Sequence, residues 1–273
     1  MKTYLPLLLL ISVISCTSPK EKQEEATQPV QVELVTSKGT IVLELSDRTP
    51  KHRDNFIQLV KENAYDSLLF HRVIEGFMVQ AGDPESKYAH DSAALGDGDR
   101  DYKIPAEFDT TLFHKRGALG AARDGNSERA SSAMQFYIVQ RGALTDSLID
   151  RGESRINGWL AENYVLNAPE NELLKNEMEK AMENQEWETY SQLNDSLKSL
   201  AKSFEFDHYT IPEEHREVYR SLGGTPHLDQ NYTVFGEVIS GMEVVDSIAA
   251  VQVNELDRPV ENVRIISARI IEQ

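Results

Sequence analysis

Apolar and polar positions alternate along Val32 to Val35 and again along Thr40 to Leu45, where Ile41, Leu43 and Leu45 share one face. The turn residues Ser37-Lys38-Gly39 between them predict a β-hairpin with one buried side. Thr49-Pro50 then opens a segment in which Phe56, Leu59 and Val60 form an apolar stripe. That predicts a helix with threonine as its N-cap and proline in the first helical position. Phe70 to Ile74 and Phe77 to Ala81 are two short apolar runs around Glu75-Gly76, which reads as a pair of strands joined by a tight turn. A Gly-, Asp- and Ser-rich loop follows from Glu85 to Lys103, and Val263 to Ile271 reads as a final strand. Many short strands with few helices suggest a closed antiparallel barrel, which removes exposed sheet edges, although a sandwich has the same composition.

A second kind of periodicity occupies about residues 142–222. From Glu170 to Lys202, Leu173, Leu174, Met178, Ala181 and Met182, then Trp187, Tyr190, Leu197, Leu200, Ala201 and Phe204, recur at spacings of three and four. This predicts amphipathic helix, as two helices broken near Asn184-Gln185. The 142–222 segment carries 17 acidic and 8 basic residues, so its outer face is expected to be strongly negative. Two readings stay open: a helical hairpin packed on the rest of the chain, or an arm that binds a protein partner.

Within the paired runs, Arg72 stands among apolar neighbours, and Met78 and Gln80 point to the same side of their strand. A guanidinium in so apolar a strand is either paired internally, exposed to a groove, or snorkelling from a strand edge, because burying it alone costs too much. The order Phe70-His-Arg-Val-Ile-Glu-Gly-Phe-Met-Val-Gln-Ala-Gly-Asp83 resembles the central motif of the cyclophilin family of peptidyl-prolyl isomerases. Two further blocks agree in order: Gly117-Ala-Leu-Gly-Ala-Ala-Arg123 with Ser132-Ala-Met-Gln-Phe-Tyr-Ile-Val139, and Gly223 to Val238 with its Leu228-Asp229 and Val234-Phe235-Gly236. The resemblance covers about residues 30–141 and 223–273. It implies a mainly β chain, a closed eight-stranded antiparallel barrel capped by two helices, with the 142–222 helical segment inserted where many members have a short connection.

The same resemblance implies a cis/trans isomerase of X-Pro bonds that needs no metal or organic cofactor. Arg72 would hydrogen-bond the proline nitrogen as the amide twists, with Gln80 holding it and the substrate carbonyl in place. Phe77, Met78, Tyr137 and Leu228 would form the pocket for the proline ring, with Ala122, Arg123 and Gln135 binding the client backbone beside it. Tyr232 stands where many members carry histidine, Tyr137 replaces the commoner phenylalanine, and both keep an aromatic wall. His227 occupies the position of a tryptophan in several eukaryotic members, and Gly120-Ala121 replaces the usual Ser-Met. A non-catalytic peptide-binding chaperone or envelope scaffold is the alternative from another class.

Composition narrows the setting. A net charge of −17 argues against nucleic-acid partners, and 40% hydrophobic residues in 273 suffice for a sizeable core. The one cysteine excludes an intrachain disulfide and any cysteine-based zinc cluster. Its place matters more: Met1-Lys2, an apolar run from Leu5 to Ile14 too short to span a membrane, and Val13-Ile14-Ser15-Cys16 read as a signal peptide (1–15) ending in a lipobox. By resemblance to bacterial lipoproteins, Cys16 would be the lipidated first residue, residues 16–29 a polar tether, and 30–273 the domain held at the cell envelope, with Thr17 leaning toward the outer membrane. The histidines show no metal-binding spacing, and the Asp97-Gly-Asp99-Arg-Asp101 run lacks the glycine and final glutamate of a calcium loop.

Overall fold

The computed structural model describes residues 28–91 and 93–271, so the signal segment, Cys16 and nearly all of the tether lie outside the described residues. The predicted hairpin forms as β1 (Gln31–Thr36) and β2 (Gly39–Leu45), with Leu34 opposite Ile41 and Val32 opposite Leu43 on the buried face. The paired runs are β3 (Phe70–Ile74) and β4 (Met78–Ala81), turned at Gly76, whose φ of 71° suits a residue without Cβ. A two-residue strand, β5 (Lys103–Ile104), pairs with another, β7 (Ser131–Ser132). Between and after them come β6 (Ala118–Ala121), β8 (Phe136–Val139), β9 (Val234–Ser240) and β10 (Ile265–Ile270). Eight of these make one antiparallel sheet in the order β10-β1-β2-β9-β6-β8-β4-β3.

The sheet curls until its two edges meet, but it does not close through a ladder. Among the described residues an isolated bridge, Leu69 to Arg264, links the edges, flanked by hydrogen bonds from the Phe70 N–H to the Val263 carbonyl (2.9 Å), from the Ile265 N–H to the Leu68 carbonyl (2.8 Å) and from the Ser67 N–H to the Ile265 carbonyl (2.8 Å). The expected closed barrel is therefore an eight-stranded half-barrel stitched at one seam, because these bonds join only the starts of β3 and β10 and the residues just before them.

Two helices cap the curled sheet: α1 (Pro50–Lys61) and the helix over Met242–Ala249. Phe56, Leu59 and Val60 from the first, and Val245, Ile248 and Ala249 from the second, join the inward-facing Val32, Leu34, Ile41, Leu43, Val79 and Ile138 in one core. Phe56 sits at its centre, edge-on to Phe136 (5.6 Å between centroids) and against Tyr65 (4.8 Å). Thr49 does not cap α1 as expected: its hydroxyl is buried without a partner. The carboxylate of Glu107 takes that role, accepting from the N–H groups of Lys51 (3.1 Å) and His52 (3.0 Å), where a negative charge also complements the helix dipole.

The insert is helical throughout. α2 (Asp146–Leu166) was not apparent from the chain; α3 (Glu172–Glu183) and α4 (Trp187–Ala201) match the predicted pair, broken at residues 184–186 where Gln185 has a φ of 58°. α5 (Glu213–Ser221) returns the chain to the sheet, and the cap over Met242–Ala249 is α6. The helices pack at home rather than projecting. Ile149, Ile156 and Leu160 of α2 bury against Leu144, Ile211 and Tyr219, while Val165, Met178 and Leu197 close a second cluster among α2, α3 and α4. Leu173 and Trp187 fall off the packed stripe and face solvent.

Candidate active site

Antiparallel register sets the site. Arg72 on β3 lies opposite Gln80 on β4, Gln80 opposite Tyr137 on β8, and Tyr137 opposite Gly120 on β6, a row of four side positions on the outer face of the sheet. Met78 shares that face two residues from Gln80, while Val79 between them points into the core. A cavity of about 160 Å³ opens over this row, lined by Arg72, Phe77, Met78, Gln80, Ala122, Arg123, Tyr137, Leu228 and Tyr232. Nine of the ten expected site residues thus meet at one place, with Met78, Tyr137 and Leu228 as its buried apolar floor.

The tenth, Gln135, stands behind the wall. It is buried, accepts from Gln80 Nε2 (3.0 Å), and donates both amide hydrogens to the carbonyls of Gly96 and Gly98 (2.8 Å each). Its side chain therefore orients Gln80 rather than offering donors to a client. Nor does Gln80 hydrogen-bond Arg72. The guanidinium is half-exposed at the mouth, restrained among the described residues by Asp257, whose Oδ2 is 3.6 Å from Nε. Of the two residues expected to bind a client backbone, Ala122 has both groups already engaged: its N–H donates to Gln135 O (2.9 Å) and its carbonyl accepts from Ser132 N (2.8 Å). The backbone N–H and C=O of Arg123 make no hydrogen bond within the described chain, and its side chain is pinned by donation from Nε to Asn231 O (3.0 Å).

Tyr137 is held from below. Its hydroxyl meets Nε2 of His114 at 2.8 Å, His114 Nδ1 meets Asp229 Oδ1 at 2.7 Å, and Tyr219 of α5 donates to Asp229 Oδ2 at 2.6 Å. All four side chains are buried, and burial pushes both tyrosine hydroxyls well above their ordinary pKa, so they remain neutral donors. Gly120 makes room for this arrangement, since a Cβ there would lie 2.5 Å from Tyr137 Cε2 and 2.6 Å from its hydroxyl.

Rings complete the rim: Phe77 stacks on His227 (5.7 Å), Tyr232 stands edge-on to Tyr137 (6.2 Å), and Trp159 of α2 packs near both His227 (6.3 Å) and Tyr232 (6.4 Å). Burial, reinforced by the nearby Arg155, draws His227 down to about 4, which leaves it neutral at pH 7. α2 reaches the rim because Gly152 lets it pass close over Pro226; a Cβ at 152 would approach Pro226 Cγ to 2.8 Å. Trp159, His114 and Tyr219 were not singled out from sequence as parts of the site. Each comes from a segment remote in sequence from Arg72, and of the three only Trp159 lies beside a pattern that could have found it, the Ile149, Ile156 and Leu160 stripe of α2, which went unread.

A curled antiparallel half-barrel with a shallow pocket on its outer face, floored by apolar side chains, with Arg72 at the mouth and the unpaired backbone groups of Arg123 beside it, is suited to hold an extended peptide. The comparisons supply the family. Residues 31–163 and 213–270 match the model of the cyclophilin type peptidyl-prolyl cis-trans isomerase family, and the chain belongs to it. Relatives provisionally named peptidyl-prolyl cis-trans isomerases include one from Staphylococcus epidermidis, 30% identical over 255 residues that cover 93% of this chain and 98% of the relative. Another, from Staphylococcus haemolyticus, is 28% identical over 250 residues, covering 91% and 95%. In fold, the chain is similar to a cyclophilin type isomerase of Cryptosporidium parvum, with a TM-score of 0.54, 18% identity, and coverage of 90% of this chain and 99% of that one. A second structure of the Cryptosporidium protein, determined in the presence of the dipeptide Ala-Pro, gives 0.51 at 17% identity, covering 89% and 99%.

Proposed function

We propose that the cavity over Met78, Tyr137 and Leu228 receives a client's proline ring and that Arg72 accelerates rotation about the preceding amide. The observation that carries this is the placement of the half-exposed Arg72 guanidinium, with few competing partners of its own, at the mouth of a 160 Å³ cavity with an apolar floor. Rotation is opposed by amide resonance, a barrier of about 18–20 kcal/mol. As the bond twists, the proline nitrogen loses conjugation and gains a lone pair. A donor that is weakly engaged in the resting protein can bond to that nitrogen more strongly in the twisted state than in either planar one. No covalent step is needed. Gln80, braced by Gln135, offers its free amide oxygen and remaining donor to the client beside Arg72, and the unpaired N–H and C=O of Arg123 are suited to an extended client backbone.

The clients are proposed to be exported or envelope polypeptides. Support comes from the lipobox at Val13 to Cys16, which in this reading tethers the protein to a membrane through a lipidated Cys16. Cis/trans exchange of a short Ala-Pro-Phe peptide tests the catalytic part: acceleration by the chain should fall about 10²- to 10³-fold in Arg72→Ala, the loss typical of removing one preorganised donor. Equal rates for the two proteins would overturn the role of Arg72. Fractionation of cells tests the anchor, which a Cys16→Ala protein still found in the membrane would refute.

A further inference from the structure

Beside the proline cavity lies a second and larger groove of about 340 Å³, walled on one side by the loop after β6 and on the other by α2, α3 and α4. The two share Arg123 and Tyr232 as a common wall, so an extended chain leaving one enters the other. Ring spacings of 6.2 Å from Tyr137 to Tyr232 and 6.4 Å from Tyr232 to Trp159 place the groove within about three to four residues of the bound proline, at roughly 3.3 Å per residue.

Its lining has two parts. Leu166, Met178 and Leu197 give an apolar floor, the last two nearly inaccessible to solvent. Above it, Glu162 stands one helical turn from Trp159 on α2, and Asn194 reaches in from α4. Neither side chain makes a hydrogen bond within the described chain, although Glu162 is half-buried. Burial pushes the Glu162 carboxyl up, with Lys198 pulling the other way, the signature of a carboxylate short of partners. The cations on the opposite wall are occupied: Arg123 donates to the Asn231 and Asp124 carbonyls, and Arg129 donates to Gln230 O (2.8 Å) while its guanidinium covers Phe108.

We propose that this groove is a specificity subsite for a lysine or arginine of the same client chain, two to five residues from the isomerised proline. The aliphatic stem of such a residue fits along Leu166, Met178 and Leu197, and its cation meets Glu162. The acidic excess of the surrounding insert, 17 acidic to 8 basic residues, attracts the same chemistry at longer range. The inference rests on the proline cavity being the client site proposed above.

A peptide series with a fixed Ala-Pro-Phe core tests it, with Lys, Gln or Glu placed singly at each position from two to five residues on either side. Affinity is read by anisotropy of labelled peptides, and exchange rate separately on the same peptides. At one or more positions Lys should bind about three- to tenfold more tightly than Gln, and Glu more weakly than Gln. In Glu162→Gln the ratio of Lys to Gln should fall to near one. Lys and Gln binding alike at every position, a preference for Glu, or a Lys preference that survives Glu162→Gln would each overturn the subsite. Failure of the core peptide to exchange faster would refute the isomerase role of Arg72 alone, since the affinity ratios are read without turnover.

Discussion

Replacing Gly120 with alanine probes the packing that fixes the floor of the proline cavity. The added methyl would sit 2.5 Å from Tyr137 Cε2 and 2.6 Å from its hydroxyl, against a comfortable carbon contact of about 3.5–4.0 Å. The ring must therefore give way by about 1 Å. Its hydroxyl, however, is tethered at 2.8 Å to His114 Nε2, and a displacement of that size carries the pair out of hydrogen-bonding range. Overpacking costs about 1–3 kcal/mol, and a buried histidine nitrogen left without its partner costs about 1–3 kcal/mol more. Gly120→Ala should thus destabilise by roughly 2–6 kcal/mol, and Tyr137→Phe, which loses only the hydrogen bond, by about 1–3 kcal/mol. In the double variant the hydrogen bond is lost once, so the combined cost should fall short of the sum by about 1–3 kcal/mol, the cost of that bond. Urea unfolding of the four proteins closes the cycle. Additivity within about 0.3–0.5 kcal/mol would show that the two positions do not share the ring, and the argument would fail.

Asp229→Asn should destabilise by about 2–4 kcal/mol, because the carboxylate accepts from the His114 backbone N–H, the His114 ring and Tyr219 at once; a fall in Tm of only a degree or two would refute this. Burial, partly offset by the nearby Asp83, draws His71 down to about 4, as it does His227, so the unfolded chain binds protons more readily than the folded one between pH 6.5 and 4. Stability is therefore full above pH 6.5 and is lost as pH falls through that window, by roughly 2 kcal/mol per ring at pH 4.5; urea midpoints that do not fall between pH 7 and 4.5 would contradict it. Arg72→Lys should recover little of the activity lost in Arg72→Ala, since a compact ammonium on a shorter reach does not reproduce the guanidinium fork; near-full exchange rates in the lysine variant would mean that charge alone suffices.

Much of this molecule was legible in one dimension because strand alternation and the Arg72-to-Gln80 spacing are local. Ile41 and Leu43, or Met78 and Gln80, reveal their shared faces through a period of two, and the site row follows once register is set. The capping of α1 was not legible, since Thr49 has the right type and place and only the fold shows that Glu107, 58 residues further on, reaches the helix end first. Gln135 illustrates a similar limit. Its position in the motif was readable, but its commitment to Gly96 and Gly98 depends on how the 84–103 loop returns. α2 escaped notice for a different reason: Gly152 and Gly158 lower its intrinsic helix preference, and the first of them is there because Pro226 lies against it.

The insert consequently packs against the proposed site rather than standing apart from it. α2 lays Trp159 on the rim and passes over the turn that carries His227 and Leu228, while α5 brings Tyr219 to the carboxylate that positions His114 and, through it, Tyr137. The family model matches the chain up to residue 163 and resumes at 213, so Trp159 and Tyr219 fall inside the matched residues, and the intervening 164–212 holds α3 and α4. That division separates two kinds of contribution. α5 is bound to the cavity floor through the buried Tyr219, Asp229 and His114 contacts, whose loss leaves a charge uncompensated, whereas α2 meets the rim through the Trp159 ring. α3 and α4 touch only the neighbouring groove, through Met178, Asn194 and Leu197, and contribute nothing to the cavity itself. Variation in those two helices can therefore alter which flanking residues a client presents without disturbing the residues around its proline, a physical basis for tuning client choice independently of the isomerising step.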